Sequence, residues 1–236
     1  MQLDFNNKTV LVFGGSRGIG FGVVKAMAEM GATVYYAART EKFYKHANVT
    51  WIRTDVRDPE QIEQAFAQID QLDILVNATG INHAKTHDKI SMTEWQDVLS
   101  VNLSSYFLTC KLALAKMIPQ RSGKIVNVSS IAGKHRSVVS GCHYVASKAG
   151  ILGLTRQLAY ETAQHNVNVN AVCPSQTQTE MLNNSMNNDQ ISHLVKTIPV
   201  GRIASVDEQV KPIVFLCSGS ADYITGACLD VNGGLL

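Results

Sequence analysis

Lys8-Thr9-Val10-Leu11-Val12-Phe13, running directly into Gly14-Gly15-Ser16-Arg17-Gly18-Ile19-Gly20, decides the architecture. The first run, apolar and β-branched, reads as a buried strand, and 18–30 reads as a helix with Gly31 just past its end. Glycines at 14, 18 and 20 let the chain turn sharply, bring backbone close to a pyrophosphate and seat the next helix tightly on a sheet. The helix N-terminus then offers unpaired N–H groups and the positive end of its dipole to phosphate. A glycine string alone is a weak signal, because any tight strand-to-helix turn uses the same residues. A strand before it and a helix after it supply the context of a phosphate cradle. The spacing here is G-x-x-x-G-x-G rather than the G-x-G-x-x-G of the standard dinucleotide fingerprint.

Outward from this unit the alternation repeats. Thr33–Ala38, Val49–Arg53, 73–76, 124–128, 167–172 and 227–231 read as further strands. Helices are expected at 58–69, where Asp58-Pro59 supplies a cap and a first-turn proline, and at 91–117, 144–165 and 205–217. Only a turn fits between strands two and three. Such alternation predicts an α/β fold: a doubly wound parallel sheet of about seven strands with helices on both faces. One domain, 1–236, contains it all. The span 178–200, rich in Asn, Ser and Met, breaks the rhythm and reads as a lid over a site, with Met181, Leu182 and Met186 as an apolar cover.

Composition narrows the function classes. The 236 residues carry 21 Lys+Arg against 19 Asp+Glu, a formal charge of +2 without like-charge blocks, so nothing points to nucleic acid or an anionic membrane. Purely apolar stretches such as Val34-Tyr35-Tyr36-Ala37-Ala38 fall far short of the ~20 residues of a membrane helix. The N-terminus lacks the apolar core of a signal peptide. Five scattered cysteines, never in a C-x-x-C pair, argue for reduced thiols, a cytoplasmic setting and no metal site. His83 and His87 lie four apart but without accompanying carboxylates or thiols.

Strand two ends Tyr36-Ala37-Ala38-Arg39-Thr40, without the carboxylate that binds an adenosine ribose and rejects a 2′-phosphate. Arg39 together with Arg17 suits a phosphate dianion, which predicts NADP(H) over NAD(H). Tyr144-Val145-Ala146-Ser147-Lys148 puts a tyrosine and a lysine on one helix face. A free phenol titrates near ~10, and an ammonium about 4 Å away is worth roughly 4 kcal/mol at an effective dielectric near 20. The pair is expected to lower the phenol into the range of a general acid/base. Ser130 follows strand five at a carboxyl strand end, where ligands bind in open sheets. Asn102 lies within the long helix before that strand.

On these motifs the chain resembles the classical short-chain dehydrogenase/reductases, in the style of the 3-oxoacyl-[acyl-carrier-protein] reductases, over nearly its whole length. The resemblance implies a Rossmann-type fold and a catalytic set of Ser130, Tyr144, Lys148 and Asn102. In it the serine orients the carbonyl, the tyrosine exchanges the proton, the lysine binds the nicotinamide ribose and the asparagine holds a relay water. It also implies cofactor contacts from Gly14, Ser16, Arg17, Gly18, Ile19 and Gly20, from Arg39, from Asp55 and Val56 at the adenine, and from Asn77 and Gly80 after strand four. Pro174, Thr177 and Thr179, along with Tyr144 and Lys148, complete that set. A homotetramer or homodimer is implied by the C-terminal segment. Phe13, Ala78-Thr79 and Ser175 depart from the family's usual residues, and the Ser130-to-Tyr144 interval is one residue long. The reading that follows is an NADPH-dependent reductase of a small-molecule or acyl-carrier-linked carbonyl, or a dehydrogenase of a cyclic diol or hydroxy acid. The competing readings are a catalytically silent dinucleotide-binding regulator and a Ser130 hydrolase.

Overall fold

The computed structural model describes residues 3–180, 182 and 188–236. Strands β1 (Thr9–Phe13), β2 (Thr33–Ala38), β3 (Val49–Arg53), β4 (Ile74–Asn77), β5 (Gly123–Val128), β6 (Val167–Pro174) and β7 (Cys228–Val231) form one sheet in the order β3-β2-β1-β4-β5-β6-β7. Every pairing is parallel. The chain winds outward from β1 to β3, then returns to lay β4 beside β1. That reversal leaves a crevice at the carboxyl ends of β1 and β4.

The near-continuous apolar strands follow from burial on both faces. Val10 and Val12 of β1 join the core beneath α1 (Gly18–Glu29), while the alternate residues Leu11 and Phe13 join the core on the other side. That second core is covered by α2 (Pro59–Ala67) and α4 (Ser105–Gln120), with Ala159 of α5 (Cys142–Thr162). Above the first face, α7 (Val206–Cys217) packs beside α1 and opens with a capping box between Ser205 and Glu208.

Two helix expectations need correction. The single helix expected at 91–117 is α3 (Met92–Leu99), a π-helical turn (Ser100–Ser104) and α4. The Met92–Gln120 run is apolar and long enough by composition to span a membrane, yet half of its most apolar window is buried in the protein. Helix α5 begins at Cys142, ahead of Tyr144, and gives way to a 3₁₀ turn at Ala163–His165. Within the span read as a lid, α6 (Asn188–Val195) is formed, and Met181 and Met186 lie outside the described residues. Between β2 and β3 no helix forms, in line with the short interval.

The glycine turn is closed by contact. Gly14 sits at φ +80°, and a Cβ on Gly20 would lie 2.3 Å from the Gly14 carbonyl oxygen. Gly20→Ala therefore has to push α1 off the end of β1. A loss of about 1–3 kcal/mol is expected from such overpacking, read as a lower urea midpoint together with weaker dinucleotide binding in titration. An unchanged midpoint and affinity would show that the turn has slack.

Candidate active site

A cleft of about 1340 Å³ runs along the carboxyl ends of the strands. At one end lie the glycine loop, with Gly14, Ser16, Arg17, Gly18, Ile19 and Gly20, and Arg39 just past β2. Asp55 and Val56, after β3, and Gly80, after β4, form its floor. At the other end Ser130, Tyr144 and Lys148 meet Pro174, Thr177 and Thr179 from the β6 end. Asp189, His193 and Leu194 of α6 face the same space.

Two of the predicted residues are not brought to that surface. Asn77 is buried under the sheet, where its amide donates to Asn127 Oδ1 at 2.9 Å and its oxygen accepts from Thr109 at 2.9 Å. Asn127 in turn donates to Thr155 at 3.0 Å, so this polar chain pins β4 and β5 to the helices behind them. Asn102 is also fully buried. Its oxygen accepts the Ile81 N–H at 2.9 Å, and its amide donates to the Ile81 carbonyl at 2.9 Å and to Ser147 Oγ at 3.1 Å. The π-helical turn presents this side chain; such turns recur at functional sites. Asn102 thus bolts the loop after β4 to the helix carrying Tyr144 and Lys148.

Lys148 is 3% exposed. Its ammonium donates to the Val128 carbonyl at 2.9 Å, at the end of β5, and lies 5.7 Å from the Tyr144 ring and 5.6 Å from that of Tyr106. Tyr106 is held by donating its hydroxyl to the Thr79 carbonyl at 2.8 Å. Ser129 Oγ donates to the Lys148 carbonyl at 2.8 Å, and a Cβ on Gly133 would touch that same carbonyl. The strand-five turn is therefore pressed onto α5 at the lysine. Tyr106, Ser129, Gly133 and Ser147 escaped sequence reading. Ser129, Gly133 and Ser147 sat inside the stretches around Ser130 and the Tyr-x-x-x-Lys pair, while Tyr106 lay in no motif.

The electrostatics reverse one expectation. Burial raises the Tyr144 phenol above its ordinary value, with a hydrogen bond to Ser130 pulling the other way. Burial also lowers Lys148 to about 7, so near neutrality its ammonium is not the fixed charge that the spacing suggested. Both charged forms lose the same water. Among the described residues no group of three or more His, Cys, Asp or Glu side chains is gathered for a metal.

A family model described as Enoyl-(Acyl carrier protein) reductase matches residues 14–236. The chain is 37% identical, over the full length of both, to the 3-oxoacyl-[acyl-carrier-protein] reductase FabG of Aquifex aeolicus. The 3-oxoacyl-[acyl-carrier protein] reductase of Brucella melitensis superposes with a TM-score of 0.90 at 29% identity, covering 99% of this chain and 94% of that one. The aldohexose dehydrogenase of Thermoplasma acidophilum does so with a TM-score of 0.90 at 31% identity, covering 98% and 94%. The chain belongs to the short-chain dehydrogenase/reductase family. It is an NAD(P)-dependent oxidoreductase acting on a carbonyl–alcohol pair.

The cleft suits the dinucleotide that this family uses. Arg17, the N-cap of α1, is extended (φ −156°) and caps nothing with its side chain, and no acid sits in the first turn. The first-turn amides keep their donors for an anion. Arg17 and Arg39 are exposed at the cleft, and among the described residues their side chains make no ion pair.

Burying Lys148 has a measurable cost. Its folded-state value, about 7, lies below the ordinary 10.5, so at pH 7 and below the full penalty is present. As pH rises toward the unfolded value the penalty disappears, because the unfolded chain alone then holds the extra proton. Lys148→Met should be more stable than the parent at pH 6.5 by roughly 1–4 kcal/mol, with the gap closing by about pH 10, and inactive throughout. Melting curves across that range check it, and a pH-independent gap would contradict it.

Proposed function

We propose that the chain is an NADPH-dependent reductase of 3-oxoacyl thioesters borne on acyl carrier protein, working in the cytoplasm as a homotetramer or homodimer. The observation that carries this reading is the convergence of Ser130, Tyr144 and Lys148 at one end of the cleft, with the Lys148 amine 5.7 Å from the centre of the tyrosine ring. When bound, NADPH supplies the hydride that the carbonyl carbon receives. Ser130 and Tyr144 aim two O–H donors at one carbonyl oxygen and stabilise the charge that develops there. Tyr144 then releases its proton to that oxygen. A phenol raised by burial keeps its proton in the neutral range, the form that a proton donor needs. Lys148, fixed on the Val128 carbonyl, is the group positioned to hold a ribose hydroxyl and to steady the phenolate left behind. Arg17 and Arg39 grip the 2′-phosphate as charge-assisted donors. The thioester substrate is supported by full-length similarity to the Aquifex aeolicus reductase.

NADPH oxidation is followed with a short 3-oxoacyl thioester on acyl carrier protein, with a free 3-oxo ester and with aldohexoses. The carrier-linked thioester should give the highest kcat/KM; preference for a sugar would displace this substrate class. Tyr144→Phe should lower kcat by about 10²–10⁴-fold, and turnover surviving that change would remove the proton donor. Arg39→Ala should weaken NADPH binding about ten- to 150-fold while leaving NADH nearly unaffected, and an unaltered NADPH/NADH ratio would exclude the phosphate grip.

A further inference from the structure

The start of α5, immediately before Tyr144, contains a buried pair that the chemistry above does not use. Gly141, the N-cap, has no side chain with which to satisfy the open amides of the first turn. His143 adds an acceptor for one of them from inside the helix. Its ring is fully buried, and Nδ1 accepts the Tyr144 backbone N–H at 2.8 Å, beside that amide's bond to the Gly141 carbonyl at 3.1 Å. An Nδ1 that accepts must carry its lone pair inward, which leaves the ring proton on Nε2.

Among the described residues Nε2 has no hydrogen-bond partner, and 3.6 Å away lies Glu94 Oε1, likewise a buried atom without one. The other oxygen of Glu94 takes the Lys85 ammonium at 2.7 Å, and that cation holds the carboxyl below its usual range. Thus α3 turns a carboxylate toward the ring N–H. From the loop after β4, Lys85 sits on that carboxylate, and the His83 ring lies 6.2 Å from the His143 ring. Room for the ring is built into the backbone. A Cβ on Gly141 would fall 2.6 Å from His143 Cε1 and 2.9 Å from Nδ1, and the Gly141 N–H donates to the His83 carbonyl at 3.2 Å. A side chain serving only to fill space would be apolar there, since a buried nitrogen and a buried carboxylate oxygen both lose hydration.

We propose that His143 is a positioning residue for Tyr144, holding the first turn of α5 through the tyrosine's own amide, and that Glu94 orients the His143 ring. The proposal rests on the reading of Tyr144 as proton donor. A displacement of about 1 Å at a reacting group is enough to cost ~100-fold in rate, so a cap on the amide of that very residue bears on turnover and not only on folding.

Two substitutions separate the halves of the ring. His143→Asn keeps an acceptor where Nδ1 stood and loses the reach to Glu94; His143→Gln places an amide where Nε2 stood and loses the acceptor. Carbonyl reduction by the full chain with NADPH is measured for both, beside His143→Ala, Glu94→Ala, their double variant and Tyr144→Phe. His143→Ala should lower kcat about tenfold or more while KM for NADPH stays within about twofold. His143→Asn should restore most of that loss and His143→Gln should not. Glu94→Ala should lower kcat in the same direction, and the double variant should be no slower than His143→Ala. The proposal is overturned if Gln rescues as well as Asn, if kcat is indifferent to residue 143, if the loss falls on KM, or if no His143 variant folds. Should His143→Ala alone fail to fold, the Asn–Gln contrast decides. Turnover retained by Tyr144→Phe instead strikes the proton-donor reading itself, an outcome that the His143 series does not mimic.

Discussion

The amine of Lys148 has to give up its water to reach its place, and one carbonyl oxygen, that of Val128, stands in for it. Much of the surrounding structure can be understood as what keeps that exchange tolerable. The end of β5 supplies the acceptor, and Tyr106 and Tyr144 lay their rings beside the charge. The turn after β5 is clamped to α5 through Ser129, and Asn102 ties the same helix to the loop after β4. The glycine loop and the arginines lie across the sheet's switch point, where parallel winding opens a crevice without any further device. Binding and chemistry are thus placed by different means, one by topology and the other by a network of buried polar contacts.

That division explains what could be read from the sequence and what could not. The sheet was legible because its signals are local: β-branched runs, glycines at strand ends, and the Asp58-Pro59 opening of α2. The positions of Tyr144, Lys148 and Ser130 at the cleft were legible for the same reason, Tyr144 and Ser130 lying near a helix or strand end and Lys148 one turn further along α5, each with a motif around it. Asn77 was read as lying just past strand four; it is the last residue of β4, and its side chain turns under the sheet to Asn127 and Thr109, a direction set by two partners distant in sequence. The π-helical turn was invisible because no residue in Ser100–Ser104 demands it. It is dictated by what Asn102 must reach.

The reversal at Tyr144 carries a similar lesson. Spacing on a helix says that two side chains are neighbours, and charge alone then suggests that the ammonium makes the phenol more acidic. Spacing does not say how much water surrounds the pair. Here dehydration acts on both partners, raising the phenol and lowering the amine. The phenol keeps its proton near neutrality while the amine, at about 7, stands between its two forms, so the pair is not a preformed ion pair.

The π-helical turn also governs which stretches of this chain can change length. A π turn closes its hydrogen bond with one residue more than an α turn, so removing one residue from Ser100–Ser104 would restore ordinary winding and leave α4 in nearly its present phase. Cys110, Ala113 and Met117 would stay packed under the sheet, while Asn102 would leave Ile81 and Ser147. Residues 39–48, which join β2 to β3 without a helix, carry no such phase relation. A change of length in the open connection therefore stays local, whereas one in the underwound turn spares α4 and costs the Asn102 bridge.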